Sequence, residues 1–205
     1  MLEVSNLECV RGERRLFSNL NFLLAAGSIM QLTGPNGSGK TSLLRMICRL
    51  LTPARGEIRW QGANINSLGE EYCAVFTYVG HRAALKDELT ALENLQISSS
   101  LSGADASEKD LRNVLGLLGL GGREHLPVRL LSEGQKRRAV LAHLVICDTK
   151  LWLLDEVLTA LDKEAVTFVL TLIEHHLSKG GLAIVSTHQQ LNLSASSFQR
   201  LELAS

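Results

Sequence analysis

Apolar positions along the chain switch between two spacings. Residues 2–7 and 20–24 alternate loosely with polar residues, as half-buried strands do, and SIMQLT (28–33) is apolar enough for a strand covered on both faces. A glycine-rich turn follows, and KTSLLRMICRL (40–50) then places its apolar residues at helical spacing. Pro53 and Gly56 in TPARGE stop that helix ahead of a short strand at 57–60, closed by Gln61-Gly62. AVFTYV (74–79) reads as a further buried strand. Residues 89–120 have helical periodicity, interrupted by the small, polar run SSSLSGADAS, which reads as a helix end and a loop. A helix is predicted over 132–146 with Ser132 as its cap, and LWLL (151–154) is an apolar strand ending at Asp155 and Glu156. A helix over 162–176, a Gly180-Gly181 turn, a strand at 182–186 and an edge strand at 198–203 complete the pattern.

This order predicts an α/β fold. Its mostly parallel sheet is covered on both faces, the first sixty or so residues form an antiparallel annex, and a helical subdomain at about 85–146 is inserted between strands. One domain spanning 1–205 is expected, since 205 residues that are 45% apolar bury one good core and are short for two independent ones. The 21 basic and 21 acidic residues cancel, which removes the bulk positive field that draws a protein to nucleic acid or anionic lipid, so no nucleic-acid partner is expected. The start MLEVSNLECV lacks the basic head and apolar core of a secretory signal, and no apolar run approaches the roughly 18 residues of a spanning helix. A cytoplasmic protein is expected, with any membrane association borrowed from a partner. Cys9, Cys48, Cys73 and Cys147 are widely separated and read as small buried apolar side chains in a reducing compartment. The histidines have no metal-ligand spacing, since His175 and His176 are adjacent and face different sides of a helix, and no haem site is evident.

Candidate chemistry changes the picture at three places. GPNGSGKTS, the run Gly34, Pro35, Asn36, Gly37, Ser38, Gly39, Lys40, Thr41 and Ser42, matches GxxxxGK[ST] between a predicted strand and a predicted helix. The glycines let backbone amides turn inward as an anion nest, Lys40 can reach β and γ phosphates, and the Thr41 hydroxyl can ligate Mg²⁺. An incidental lysine on a glycine-rich turn is the plain alternative, and the flanking strand and helix weigh against it. LWLLDE delivers Asp155 at the end of a buried strand, where an acid can hold a Mg²⁺ shell, and Glu156 can orient or deprotonate an attacking water. Two acids merely starting a loop is the competing reading in isolation. His188 follows the strand at 182–186, where a neutral imidazole can sense a γ phosphate or, as a partly exposed strand-end histidine, cap a helix.

With these elements in order, the sequence resembles the ATP-binding-cassette (ABC) ATPases over essentially its whole length. LSEGQ (131–135) is similar to the family signature LSGGQ in four positions of five, and the phosphate loop, YVGH, LSEGQKRR, LWLLDE, TALD and STH occur in the family's order. The resemblance implies a P-loop NTPase fold, ATP and Mg²⁺ as cofactors, and two copies paired head to tail. Each signature then caps the ATP held by the opposite phosphate loop, so Ser132 and the Gly134 amide would serve the partner's nucleotide. A serine and free amides opening a helix form an anion site on physical grounds too. Leu161-Asp162 matches the segment that crosses between the two sites, and Asp162 is a candidate cap for the next helix.

Several positions depart from the family pattern. His81 stands where the family has a glutamine near metal and water, facing the membrane partner. Arg11 occupies the place of the adenine-stacking aromatic, and Val157 that of a proline after the catalytic glutamate. Glu133 replaces the first signature glycine, and a carboxylate near phosphate must point away or meet a cation; Lys136, Arg137 and Arg138 are close enough in sequence to supply one. Within the family, MLEVSNLECVRGERRLFSNLNF, GEIRWQG, YVGHRAALKDELTALENL and STHQQLN resemble the ATP-binding subunits of bacterial cytochrome c maturation systems, the haem exporters. That implies integral-membrane subunits of the maturation complex as partners and a peripheral place on the cytoplasmic face of the inner membrane. A cassette ATPase for another transported substrate competes with this reading. Soluble translation or repair cassettes fit less well, since this chain has one cassette and no room for coiled-coil arms, and LSEGQKRR argues against a non-cassette phosphotransferase.

Overall fold

The first 24 residues form one long hairpin with irregular pairing. In the computed structural model, which describes residues 1–80, 84–104, 106–159, 161–193 and 197–204, the elements in chain order are β1 (Leu2–Arg11), β2 (Arg14–Leu24), β3 (Ile29–Thr33), α1 (Lys40–Ile47), β4 (Arg55–Trp60), β5 (Ala63–Asn64), β6 (Phe76–Val79), α2 (Ala91–Leu101), α3 (Glu108–Leu117), α4 (Glu133–Ile146), β7 (Leu151–Asp155), α5 (Lys163–Ser178), β8 (Leu182–Ser186) and β9 (Phe198–Glu202). Two compact units result, one of Met1–Tyr78, Thr149–Glu156 and Ile173–Ser205, the other of Val79–Asp148 and Val157–Leu172. The predicted helical insertion at 85–146 lies within the second.

The first unit carries two sheets. An antiparallel sheet has the order β2-β1-β4-β5, and a second sheet has the order β6-β7-β8-β3-β9, in which β7 pairs parallel with β8, β8 with β3, and β3 with β9. Every residue of β7 and β8 is buried, as expected for parallel strands covered on both faces. One core takes Leu2, Val4 and Leu7 from β1, Ile58 and Trp60 from β4, Met30 and Leu32 from β3, Leu153 from β7, and Leu43, Leu44, Met46 and Ile47 from α1. The apolar face of α1 therefore lies in a core shared by both sheets. His176 stacks on Trp152 with ring centroids 4.0 Å apart, and its Nε2 donates to the Leu182 carbonyl at 3.1 Å, a packing role in the core.

The second unit is helical, and α2, α3 and α4 pack pairwise. Each begins with a reciprocal capping box: Thr90 with Glu93, Ser107 with Asp110, and Ser132 with Gln135. Buried Asn94 of α2 holds the preceding loop through Lys86, accepting from its amide at 2.8 Å and donating to its carbonyl at 3.1 Å.

Several element boundaries differ from the sequence reading. β1 and β2 run well beyond 2–7 and 20–24, because register shifts between Val4 and Leu7, Leu7 and Cys9, and Cys9 and Val10 break the alternation. Asn6 and Asn19 adopt left-handed backbone there, with φ of 50° and 51°, and the Asn6 amide donates to Asn21 Oδ1 at 2.8 Å. α1 ends at Ile47, not at residue 50. Arg49 takes the left-handed conformation usual for glycine, while Leu50 and Arg49 amides donate back to Arg45 and Met46 carbonyls at 2.8 and 3.0 Å. α2 absorbs Ser98–Leu101 of the polar run, and β6 starts at Phe76 because residues 71–74 form a 3₁₀ turn.

Gly56 opens β4 at φ 85°, where a Cβ would lie 2.4 Å from the Asn6 carbonyl oxygen of β1. Gly56→Ala is expected to cost at least about 2 kcal/mol, seen as a fall of roughly 4–8 °C in the unfolding midpoint followed by circular dichroism.

Candidate functional site

Strand register assembles motifs that are far apart in the chain. Leu32 of β3 pairs with Ser186 of β8, and Ser186 pairs with Asp155 of β7, so three buried strands present neighbouring ends in one row. The glycine loop leaves β3 from that row, Glu156 follows Asp155, and His188 follows β8 by two residues. Ligands of open parallel sheets gather outside such strand ends.

The loop has the chemistry of an anion cradle. Gly34, Gly37 and Gly39 all have positive φ, and Gly39 caps α1 with no side chain bonded to its first amides. Pro35, Asn36 and Gly37 form the exposed tip, with the Pro35 carbonyl accepting from the Ser38 amide at 3.2 Å. Ser38 Oγ is buried without a partner among the described residues. Lys40 is buried and folds onto its own loop, donating from Nζ to the Gly34 and Pro35 carbonyls at 2.7 and 3.1 Å. Amides, an ammonium and an orphaned hydroxyl all converge here, a donor set that fits phosphate.

Beside the loop, Thr41 Oγ1 donates to Asp155 Oδ2 at 2.7 Å, and Asp155 is 1% exposed. A hydroxyl and a carboxylate are hard oxygen donors of the kind Mg²⁺ takes together with phosphate oxygens. Among the described residues no group of three His, Cys, Asp or Glu is placed to hold a metal. The Tyr78 hydroxyl donates to the same Asp155 oxygen at 3.5 Å, and burial, then the Asp155 charge, pushes its pKa up.

Glu156 is half-buried and adopts φ 53°, a conformation L-residues avoid, while its amide donates to the Ser186 carbonyl at 2.9 Å. His188 is exposed at a loop that sequence pattern leaves unconstrained. The loop is clamped by Gln31, a buried β3 side chain whose Nε2 donates to the Gln189 carbonyl at 2.9 Å and the Thr187 carbonyl at 3.5 Å, on either side of His188. Arg200 Nη2 donates to Gln31 Oε1 at 3.3 Å, and the Gln189 amide donates to Thr187 Oγ1 at 3.1 Å.

In the helical unit, Ser132 is exposed and caps α4. Its Oγ accepts from the Gln135 amide at 3.3 Å and its amide donates to Gln135 Oε1 at 3.0 Å. A hydroxyl that accepts still has its proton to donate outward. Ser132, Gly134 and Gln135 line a polar cavity of about 240 Å³ together with Arg123, Arg138 and Asp162. Glu133 is turned to solvent, its side chain 82% exposed and 3.2 Å from Lys136 Nζ. Of the three cations considered for it, only Lys136 meets Glu133: Arg138 pairs with Asp162, whose Oδ1 caps α5 through the Ala165 amide at 2.8 Å, and Arg137 is buried.

The structure thus joins Lys40, Thr41, Asp155 and Glu156 around one row of strand ends and sets Ser132 and Gly134 at the start of α4. His81 lies outside the described residues. Arg11 ends β1, exposed and opposite Arg14. Phe17, which sequence reading passed over, is the aromatic against the loop, with ring carbons 3.0 Å from where a Cβ on residue 39 would stand. A shifted register in β2 hides its direction, and Gln31 likewise reads as one polar letter in an apolar strand.

The family model for ABC transporters matches residues 17–159. Two proteins described as cytochrome c biogenesis ATP-binding export protein CcmA match nearly end to end: that of Nitrosospira multiformis is 55% identical over 202 residues, covering 98% of each chain, and that of Dechloromonas aromatica is 50% identical over 203 residues, covering 99% of this chain and all of the other. The chain belongs to the CcmA family of ABC ATPases. Among solved structures, a cassette described as a putative ABC transporter ATP-binding protein from Pyrococcus furiosus superposes with a TM-score of 0.83 at 24% identity, covering 98% of this chain and 96% of that one, and shares the fold. A dimeric ATP-binding cassette in a post-hydrolysis state with ADP and Pi superposes with a TM-score of 0.80 at 25% identity, covering 92% of this chain and 88% of that one. CcmA proteins of 50–55% identity thus align over 98–99% of this chain.

Gln31→Leu is expected to release the Thr187–Gln189 segment at a cost of about 1–3 kcal/mol, read as faster amide hydrogen exchange at Gln189 with the rest of β3 and β8 still protected.

Proposed function

We propose that this protein is the ATP-hydrolysing subunit of a haem-handling export complex in cytochrome c biogenesis. It works as a head-to-tail pair of cassettes docked to integral-membrane subunits, peripheral to the cytoplasmic face of the bacterial inner membrane. The 2.7 Å bond between Thr41 Oγ1 and Asp155 Oδ2, at the foot of an anion-shaped loop and one residue before Glu156, carries the reading. No helix is long and apolar enough to cross a membrane among the described residues, so export by this chain requires membrane subunits.

In this reading the backbone amides of the glycine loop from Asn36 to Ser42 and the Lys40 ammonium bind the phosphates, and Lys40 exchanges its carbonyl partners for phosphate oxygens. Thr41 and Asp155 hold Mg²⁺, which when bound supplies charge neutralisation on the transferring phosphoryl group. Glu156 orients a water and accepts its proton, and His188 contributes a hydrogen bond at the γ-phosphate end. Ser132 Oγ and the Gly134 amide close the site of the second copy, adding donors aimed at charge that develops in the transition state. His81 and the helical unit face the membrane subunits, and Phe17 and Arg11 flank the entrance for the base. The high identity to CcmA proteins over the whole chain supports the haem-export branch over a cassette serving another substrate.

Glu156→Gln is expected to lower ATP turnover by about 100-fold or more while nucleotide binding persists and a nucleotide-bound dimer accumulates in light scattering. In cells lacking the native gene, the same variant would fail to restore holo-cytochrome c. Unchanged hydrolysis would remove Glu156 as the base.

Ser132→Arg is expected to suppress hydrolysis and leave the affinity of the isolated chain for a fluorescent ATP analogue within about twofold. A large loss of affinity in the monomer would mean that Ser132 serves its own chain's nucleotide, contrary to the head-to-tail arrangement.

A further inference from the structure

Glu156 keeps a left-handed backbone, at φ 53°, that L-residues avoid and that persists only where the surrounding structure holds it. On its N-terminal side the Glu156 amide is fixed to the Ser186 carbonyl at 2.9 Å. On its C-terminal side stands Val157, where the family resemblance leads one to expect a proline. Val157 is fully buried, and its carbonyl accepts a hydrogen bond from Arg137 Nε at 3.2 Å. The same guanidinium donates from Nη1 to the Gly80 carbonyl at 2.9 Å. Arg137 is 6% exposed and belongs to α4, five residues after Ser132 and three after Gly134.

We propose that Arg137 is a positioning residue for Glu156, fixing through the Val157 peptide the turn from which the catalytic carboxylate projects. This rests on Glu156 being the base. A guanidinium suits the task because Nε–H and Nη1–H leave along different edges of one rigid plane, so a single side chain joins carbonyls of two separate segments. An ammonium presents its donors from one point and cannot span the pair. Burial enforces the arrangement, since a cation removed from water is stable only while its donors are satisfied.

The placement on α4 gives the contact a second meaning. Ser132 and Gly134 open the helix and are the groups offered to the other copy's nucleotide; Arg137 lies about one turn further on and holds the turn of its own chain's base. One short stretch of helix therefore carries both the groups offered to the other copy and the guanidinium bonded to the Val157 carbonyl. Gly80, the other anchor, precedes His81, so the same guanidinium also restrains the end of β6 at the segment expected to face the membrane subunits.

The experiment compares Arg137→Lys and Arg137→Ala with the unsubstituted full chain, reading kcat and KM for ATP, the unfolding midpoint, and recovery of Arg137→Ala by millimolar guanidinium. The expected result is a fall in kcat of about tenfold or more for Arg137→Lys with KM within about twofold, since displacing a catalytic group by about 1 Å costs up to about 100-fold. Guanidinium would raise the kcat of Arg137→Ala and leave the unsubstituted chain unchanged. A wild-type kcat in Arg137→Lys, or a loss confined to the unfolding midpoint, overturns the proposal. So does failure of both variants to fold, which would make Arg137 a residue of the fold alone. Should Glu156→Gln retain turnover, the underlying reading fails; an inactive Glu156→Gln beside a fully active Arg137→Lys sinks only the role of Arg137.

Discussion

The hydrogen-bonded register of β7, β8 and β3 is the constraint on which the site depends. Pairing Asp155 with Ser186 and Ser186 with Leu32 leaves no freedom in where the three loops begin. A slip of one residue in β7 would turn Asp155 from Thr41 and move its whole apolar face with it. Because every residue of β7 and β8 is buried, that slip is opposed by the full packing of both faces. Stability and chemical alignment are the same property here.

Much of this was legible in the sequence, and the legible parts share a physical cause. The phosphate loop announces itself because only glycine fits its positive-φ positions and only lysine at that spacing reaches back across it. LWLLD reads as a buried strand because a parallel strand covered on both faces needs continuous apolar letters. Ser132 reads as a cap because the reciprocal bond needs a glutamine three residues on. In each case local sequence and local geometry are tied within a few residues.

What the sequence hid lies in contacts over long separations or in broken periods. Gln31 and Gln189 are 158 residues apart, and nothing in IMQLT says which carbonyls the amide will meet. Arg137 sits in a basic triplet whose three members have three different fates: one faces Glu133, one is buried against Val157 and Gly80, and one pairs with Asp162. A string of like charges carries no sign of that division. The hairpin is longer than its alternation suggests because bulges at Asn6 and Asn19 reset which face each side chain takes. Phe17 is concealed by that reset.

Lys40 bears on how quickly such a site can be used. With its ammonium already drawn onto the Gly34 and Pro35 carbonyls, the loop is tied at its neck by the same side chain that would grip a phosphate. A loop so laced has little disorder left to lose when an anion arrives. Recognition then becomes an exchange of acceptors around one nitrogen atom, and the entropy of shaping the cradle is met by folding itself, ahead of any encounter with nucleotide.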